Sequence, residues 1–575
     1  MQIRSRAFVL LLIILPTTVL AQNPQDQTIT AQVDKLFAQW DKPDSPGCAV
    51  GIIKNSKLVY ARGYGRANLE YDVPIGPRSV FLIASISKQF TAMSVLMLAE
   101  QKKLSLDDDI RKYVPEVPDF GKPLTIRQLL HHTSGIRDQE AMFPLADFRE
   151  HDVMTEGDAL KLITQQKGLN YEPGEDFIYS NTGYTLLSLV VKRVSGQSLR
   201  EFAAANIFKP LGMNDTQFVD NHTTVIKNWA QGYENANAHW RISSPLFDFV
   251  GPTGVYTTVG DLARWDQNFY DHRVGSAWLF SELQRPGKLN DGHEIDYAAG
   301  LFVGHWNGLP IVEHDGGDPG YRADFLRFPE QQFSIAALCN VTNIDPTEVT
   351  RNVAAIYLAD EFKKHKAESP FPNDKPVTVP PSELASVAAL YFNPVTEAVR
   401  RIVLKDGKLL YVRGPNNESA LIPFGNNRFG MADVASIRVN FTPAQSGWPS
   451  KMSVVEIPDP NQTGSHGLSN IGTPAVFEVV REVNYSAKDL AEFAGDYYSA
   501  ELDVTYTFKV AGSQLVLKRK KSDVDEPLTP KFIDMFNAAV ANQFASIRFK
   551  RDARHKVNGF TLTVRAARKI AFEKL

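Results

Sequence analysis

Between Phe81 and Leu98 a polar pair is set into an apolar helical pattern. Ser85-Ile86-Ser87-Lys88 is followed by Phe90, Met93, Met97 and Leu98 at helical spacing, so the segment reads as a mostly buried helix. On a helix, positions i and i+3 share a face one turn apart, which sets the Lys88 amine beside the Ser85 hydroxyl. Burial lowers a lysine pKa, and a neutral amine can take the serine's proton and make it a nucleophile. Ser-x-x-Lys arises by chance about once or twice in a chain of this length. It occurs once here, and it opens an apolar helix where a solvated one would need no such setting.

At 575 residues the chain is expected to hold two to four domains. Its 43% hydrophobic and 22% charged residues imply no large disordered tract, and a net charge of −3 argues against nucleic acid as a partner. Arg4 and Arg6, the apolar run Ala7 to Leu15 and the small-residue site Val19-Leu20-Ala21 read as a secretory signal peptide over 1–21, cut after Ala21. The alternative is an uncleaved anchor helix, for which the run is short. The protein is therefore expected to be exported, periplasmic or secreted, with no membrane span after cleavage. Cys48 and Cys339, the only cysteines, lie in apolar strand-like runs; they are either two small buried hydrophobes or, if their strands are neighbours, one disulfide.

Early strands at Cys48–Lys54 and Leu58–Tyr64 form a hairpin, a long helical region follows, and strands return at Ala299–His305, Pro310–Glu313, Arg322–Phe328 and Phe333–Val341. Helices are expected at Ile29–Trp40 and Thr347–Phe362. This order predicts an α+β domain, one antiparallel sheet flanked by helices with an all-helical insertion, over 22–366. Pro370, Pro372, Pro376, Pro380 and Pro381 mark a linker at 367–381. Beyond it a pattern occurs twice. Ser382-Glu383-Leu384-Ala385, Tyr391-Phe392 and Leu421-Ile422-Pro423 are echoed by Ala487-Lys488-Asp489-Leu490-Ala491, Tyr497-Tyr498 and Leu528-Thr529-Pro530. Two small β-barrels are expected at 382–460 and 485–575, separated by a linker or long loop at 461–484.

A nucleophilic serine needs a proton shuttle, an oxyanion hole and a substrate clamp. Tyr179-Ser180-Asn181 enters an apolar helix and offers a phenol and an amide. His314-Asp315-Gly316-Gly317, the only His-x-Gly among twelve histidines, ends a strand, where glycines let a substrate backbone come close; an ordinary turn explains it too.

In this order the three segments resemble the serine β-lactamase and penicillin-binding-protein superfamily, in particular its class C β-lactamase, DD-carboxypeptidase and D-aminopeptidase branch. Leu129-Leu130-His131-His132-Thr133-Ser134-Gly135-Ile136, Pro210-Leu211-Gly212-Met213 and Thr253-Gly254-Val255-Tyr256-Thr257-Thr258 add to the likeness, which covers roughly Ile29 to Lys364. The resemblance implies Ser85 as the acylated nucleophile, Lys88 as its activating base, and Tyr179 as the group that either deprotonates Ser85 or protonates the leaving group and then helps activate water for deacylation. It implies Asn181, His314, Gly316 and Gly317 as substrate-binding residues, with the N–H groups of Ser85 and Gly317 as oxyanion hole. Where β-lactamases and transpeptidases usually carry a lysine that binds the substrate carboxylate, this chain has His314. That form of the motif resembles D-aminopeptidases, some of which carry lipocalin-like barrels. Asp315 and Asp318 either attract a substrate amino group or are strand-end turn residues, and the barrels either limit substrate size or are passive appendages.

The expected function is a serine hydrolase acting through an acyl-enzyme on peptides or amides, D-amino-acid-containing ones in particular (a D-aminopeptidase or DD-peptidase-like enzyme). The alternatives are a carboxylesterase or weak β-lactamase and, in another class, a non-catalytic peptide-binding or sensor protein. The expected partner is a small peptide, amide or ester substrate. No cofactor and no metal are expected, since the histidines lack paired ligand spacing. No oligomeric state is read from the sequence.

Overall fold

In the computed structural model, Cys48–Lys54 and Lys57–Tyr64 join the late strands in one six-stranded antiparallel sheet. Its order is Phe302–Trp306, Leu309–Asp318, Tyr321–Phe328, Phe333–Cys339, Cys48–Lys54, Lys57–Tyr64. The structure describes residues 24–365, 371, 374–414, 417–443, 449–457 and 474–575. The signal peptide expected at 1–21 lies outside them, as do parts of both expected linkers.

The sheet is covered on both faces, so its central strands are apolar at consecutive positions instead of alternating; every residue of Phe333–Cys339 is buried. Val50, Ile52 and Ile335 pack against the helices Pro24–Phe37 and Pro346–Tyr357 through Val33, Phe37, Val349 and Val353. Ala49, Ile53, Ala336 and Leu338 face the helical insertion. Gly51 is needed on that side, because a Cβ there would sit 2.8 Å from the Val259 side chain. The expected closing helix over Thr347–Phe362 is interrupted at Leu358 and continues as Ala359–His365.

Cys48 and Cys339 are directly opposed in neighbouring strands and form a disulfide. Of the two readings of the cysteines, the bonded one holds. Closing a loop of 291 residues stabilises the fold by roughly 5–6 kcal/mol on the chain-entropy account.

The Lys88–Glu100 helix runs through the insertion with Lys88 to Leu96 and Leu98 all buried, so its apolar residues are spread around the helix and its polar ones, Lys88, Gln89, Thr91 and Ser94, are buried with them. Its start differs from expectation: Ser85 lies on a 3-10 turn, Ala84–Ser87, entered through Ala84 at φ 47°. The Asn181–Ser195 helix packs beside it and ends at Gly196 in the left-handed conformation, which glycine adopts without a Cβ penalty.

The duplicated region forms two closed eight-stranded barrels, Leu390–Val480 and Gly495–Lys574. The repeat extends to single atoms: Tyr391 and Tyr497 are both fully buried, and each phenol donates to the carbonyl four residues earlier, Val387 at 3.0 Å and Phe493 at 2.9 Å. The Asp406-Gly407 turn has positive φ at both residues, as a two-residue hairpin requires. Ala475–Val480, inside the stretch expected to be a linker or loop at 461–484, is the strand that closes the first barrel against Leu390–Phe392. Six residues beside a polar segment carry too little pattern to read as a strand. In the second barrel the rings of Tyr497, Phe508, Phe549 and Phe560 fill the interior edge to face.

The second barrel is docked on the insertion. Met142, Phe143, Leu145, Leu162 and Phe249 share one apolar cluster with the barrel core. Arg137 forms an ion pair with Glu501, each side chain 3% exposed, and the Tyr506 phenol donates to the Leu145 carbonyl at 2.8 Å. The first barrel meets the second through Phe392 and Phe532, with ring centres 4.9 Å apart. Among the described residues no helix is long and apolar enough to cross a membrane.

Candidate active site

The Ser85 turn is pressed against the strand Leu309–Asp318. That strand runs past its outer neighbour, whose pairing stops at Glu313 opposite Phe302, so residues 314–318 present an open edge. A Cβ on Gly316 would lie 2.3 Å from the Ile83 carbonyl oxygen and 3.1 Å from the Ala84 Cβ, whereas one on Gly317 would meet only the Arg322 side chain, at 3.5 Å. Gly316 thus serves the approach of the strand to the nucleophile turn, in place of the substrate approach expected from the sequence. Gly316→Ala is expected to destabilise the protein by about 1–3 kcal/mol through overpacking and to displace Ser85, while Gly317→Ala is expected to shift the unfolding midpoint little. Denaturant unfolding of the two variants checks this.

Lys88 is fully buried, and its Nζ is within hydrogen-bond distance of three oxygens: Ser85 Oγ at 3.0 Å, Asn181 Oδ1 at 2.8 Å and the Pro252 carbonyl at 2.8 Å. Asn181 Oδ1 and the carbonyl can only accept. A neutral amine has two N–H bonds and one lone pair; with the two hydrogens held by these acceptors, the lone pair is left facing the Ser85 hydroxyl. Burial pulls the Lys88 pKa down to about 8, against the opposing fields of Glu140, Asp318, Asp138 and Asp315. The Pro252 carbonyl was not foreseen, since a backbone acceptor has no side-chain signature; the loop holding it passes close enough that Thr91 Oγ1 also donates to Gly251 O, at 2.8 Å.

Asn181 was expected to orient a substrate amide. Its Oδ1 is committed to Lys88, which leaves its NH2 for a substrate oxygen. Its backbone N–H donates to Asp138 Oδ1 at 2.8 Å, and the Asp138 N–H donates to Ala566 O of the second barrel, also at 2.8 Å. A chain of hydrogen bonds thus joins the barrel to the lysine.

Tyr179 lies with the Lys88 Nζ 4.7 Å from its ring centre. Its buried hydroxyl makes no hydrogen bond of good geometry. Burial pushes its pKa well up, and Ser85 is the group that draws it back, so the phenol keeps its proton at neutral pH. The ring is backed by His132, 4.3 Å away between centres. His132 sits at φ 56° just past a short helix, and its Nδ1 accepts the Ser180 N–H at 3.1 Å. Burial holds its pKa well below the usual histidine range, which keeps the ring neutral. The packing of His132 against Tyr179 is long-range and has no sequence signal.

His314 is placed differently from expectation. The side chain is 1% exposed, its Nδ1 donates to the Asp315 carbonyl at 2.6 Å, and its Nε2 is 3.1 Å from the Tyr297 hydroxyl. With both ring nitrogens engaged inside the protein, it braces the strand and does not reach out to a substrate. Asp318, expected as one of two acids near the site, is buried; it accepts from Thr253 Oγ1, and burial raises its carboxyl pKa to about 6. Glu140, which sequence reasoning missed, is raised well above the carboxylate range, first by burial and then by Asp138 and Asp318. The structure thus brings Ser85, Lys88, Tyr179, Asn181, Gly316 and Gly317 together and seals His314 behind them.

The β-lactamase family model matches residues 27–360, more than half of the chain. The chain belongs to the β-lactamase family. Members are typically serine hydrolases, and a serine, a buried lysine and a tyrosine on three separate elements are what such chemistry needs. The chain is 31% identical over 304 residues to penicillin-binding protein 4* of Bacillus subtilis, a match spanning 49% of this chain and 65% of that protein. It is 30% identical over 324 residues to protein flp of Staphylococcus aureus, covering 54% of this chain and 63% of that one. The matches therefore span just under two thirds of these relatives' own length. Among solved structures, the octameric penicillin-binding protein homologue of Pyrococcus abyssi superposes with a TM-score of 0.53 at 24% identity, over 76% of this chain and 99% of its own, a likeness of fold. Among the described residues no group of acids, histidines and cysteines is arranged to hold a metal ion.

Proposed function

We propose that the protein is an exported serine hydrolase that forms an acyl-enzyme on amides or peptides bearing a free amino group, D-configured ones in particular. The observation that carries this reading is the three-way setting of Lys88, which leaves an amine lone pair facing Ser85. Neutral Lys88 takes the Ser85 proton while Oγ bonds to the substrate carbonyl carbon. The oxyanion is held by the N–H groups of Ser85 and Gly317, each such donor being worth about 3–4 kcal/mol in related chemistry. The C–N bond then breaks, and the leaving amine takes the Tyr179 proton, which is replaced from Lys88. In deacylation water delivers a proton to the same pair and its oxygen attacks the ester; Ser85 Oγ leaves with a proton from Lys88.

The substrate class follows from charge. Glu140 keeps its proton, so the negative field on Lys88 comes from Asp318, Asp138 and Asp315, and the strand-end motif has His314 where a lysine would bind a carboxylate. A substrate ammonium is favoured here and a substrate carboxylate is opposed. The D-preference rests on the resemblance of the His-x-Gly motif to D-aminopeptidases. Export rests on the leader pattern and agrees with the Cys48–Cys339 disulfide.

Side-by-side turnover of D- and L-amino-acid amides, D-Ala-D-Ala peptides, nitrophenyl esters and a chromogenic cephalosporin tests this. Amides with a free amine are expected to lead; a cephalosporin leading by a wide margin contradicts the reading. Because Lys88 must be neutral, kcat/KM on a nitrophenyl ester without an amino group is expected to rise with pH and level off above an apparent pKa near 8; a profile on that ester flat from pH 6 to 9 would remove Lys88 as the base.

A further inference from the structure

A cavity of about 250 Å³ lies beside the catalytic turn. It shares Thr253 and Gly254 with the loop whose Pro252 carbonyl holds Lys88, and Leu82, three residues before Ser85, lines it too. Thr253 also donates to Asp318, two residues past Gly316 on the strand that presses on Ser85. The rest of the wall is largely apolar: Val219, Ile226, Leu246, Phe249 and Tyr256. Several of its polar groups are paired within the protein. Gln231 donates to Ser244 Oγ at 2.8 Å, the Trp229 indole donates to the Tyr321 hydroxyl at 2.8 Å, and His222 is paired with Asp248 at 2.8 Å. The wall therefore offers carbon and ring faces, the lining that selects an apolar occupant. An apolar cavity of about 150 Å³ already takes up benzene, so this one has room for a benzyl or larger side chain.

We infer that this cavity is a specificity subsite for a bulky apolar or aromatic side chain on the residue that supplies the scissile carbonyl. The inference rests on the acyl-enzyme reading above. Ser85 Oγ is 3.0 Å from the Lys88 Nζ, which is 2.8 Å from the Pro252 carbonyl, and the next residue, Thr253, lines the cavity, which puts it within reach of a side chain on an acyl group at Ser85. Thr253 on the cavity wall donates to Asp318, so the acid and the apolar wall meet at one residue.

The test compares alanine amide with phenylalanine amide of the preferred configuration, following both hydrolysis and the mass of Ser85-acylated protein. The phenylalanine amide is expected to have a kcat/KM at least roughly tenfold higher, the discrimination that small changes in an apolar pocket commonly give. In Ile226→Trp, which fills the cavity from its half-exposed rim, the ratio is expected to fall towards one; being internal to one variant, the ratio does not depend on how much protein is folded. Acylation of Ser85 by both amides with a ratio within about twofold overturns the subsite and leaves the hydrolase reading standing, as does an unchanged ratio in Ile226→Trp. Absence of acylation by any amide overturns both.

Discussion

Lys88→Met is expected to slow acylation of Ser85 by roughly 10²- to 10⁴-fold, the contribution usual for a positioned general base. The substitution keeps an unbranched chain of similar length and removes the one lone pair facing the hydroxyl. It leaves Asn181 Oδ1 and the Pro252 carbonyl without their donor, a cost of about 1–3 kcal/mol for each buried group, and removes the cost of burying an amine, so the fold is expected to persist. Tyr179 does not substitute for the lysine, because burial keeps its phenol protonated. Stopped-flow or mass-resolved acylation on folded protein measures the loss, and the step near pH 8 is expected to vanish from the residual rate. A loss below about tenfold would move the base elsewhere.

Glu501→Ala is expected to destabilise the protein by about 3–5 kcal/mol, the usual cost of breaking a buried ion pair from one side. Glu501 Oε2 accepts from Arg137 and from the Lys167 N–H at 2.8 Å, and Oε1 accepts from the Ala571 N–H at 2.9 Å. Removing it leaves two backbone donors without an acceptor and a buried guanidinium without its counter-ion, although Gln166 Oε1 and the Lys569 carbonyl still accept from Arg137 at 2.8 and 3.2 Å. Arg137→Ala is expected to cost less, since the carboxylate keeps both N–H partners. Replacing both residues by apolar ones of similar volume is expected to recover much of the loss. Activity is expected to fall with docking, because Asp138 follows Arg137 and links Ala566 of the barrel to Asn181 and so to Lys88. Urea unfolding with a double-mutant cycle over 137 and 501 measures the coupling; a Glu501→Ala midpoint equal to that of the parent would show the barrel to be a passive appendage.

The parts of this site that were legible in the sequence are those whose geometry is local. Ser85 and Lys88 stand one turn apart, so their contact follows from spacing even though the serine sits on a 3-10 turn and not in the α-helix proper. The duplication was legible because it repeats a pattern, down to Tyr391 and Tyr497. What escaped was long-range or carried by backbone. The Pro252 carbonyl has no residue-type signature, Glu140 reads as an ordinary helix-start acid, and Arg137 meets a partner 364 positions away. His314 misled for a physical reason: at a strand end histidine suits a substrate contact or a brace, and only the rings of Tyr297 and Phe302 beside it decide for the brace. Cys48 and Cys339 needed the strand order before their pairing could be chosen.

Every role assigned above depends on the hydroxyl next to the buried amine becoming covalently bonded to its substrate. Incubation of the folded protein with a fluorophosphonate or with a slowly hydrolysed ester, followed by intact-mass and peptide mass spectrometry, tests it most directly. A single adduct on the peptide containing Ser85, formed faster at pH 9 than at pH 6.5 and lost in Ser85→Ala, is the predicted result. An unmodified protein, or an adduct that persists in Ser85→Ala, would contradict it.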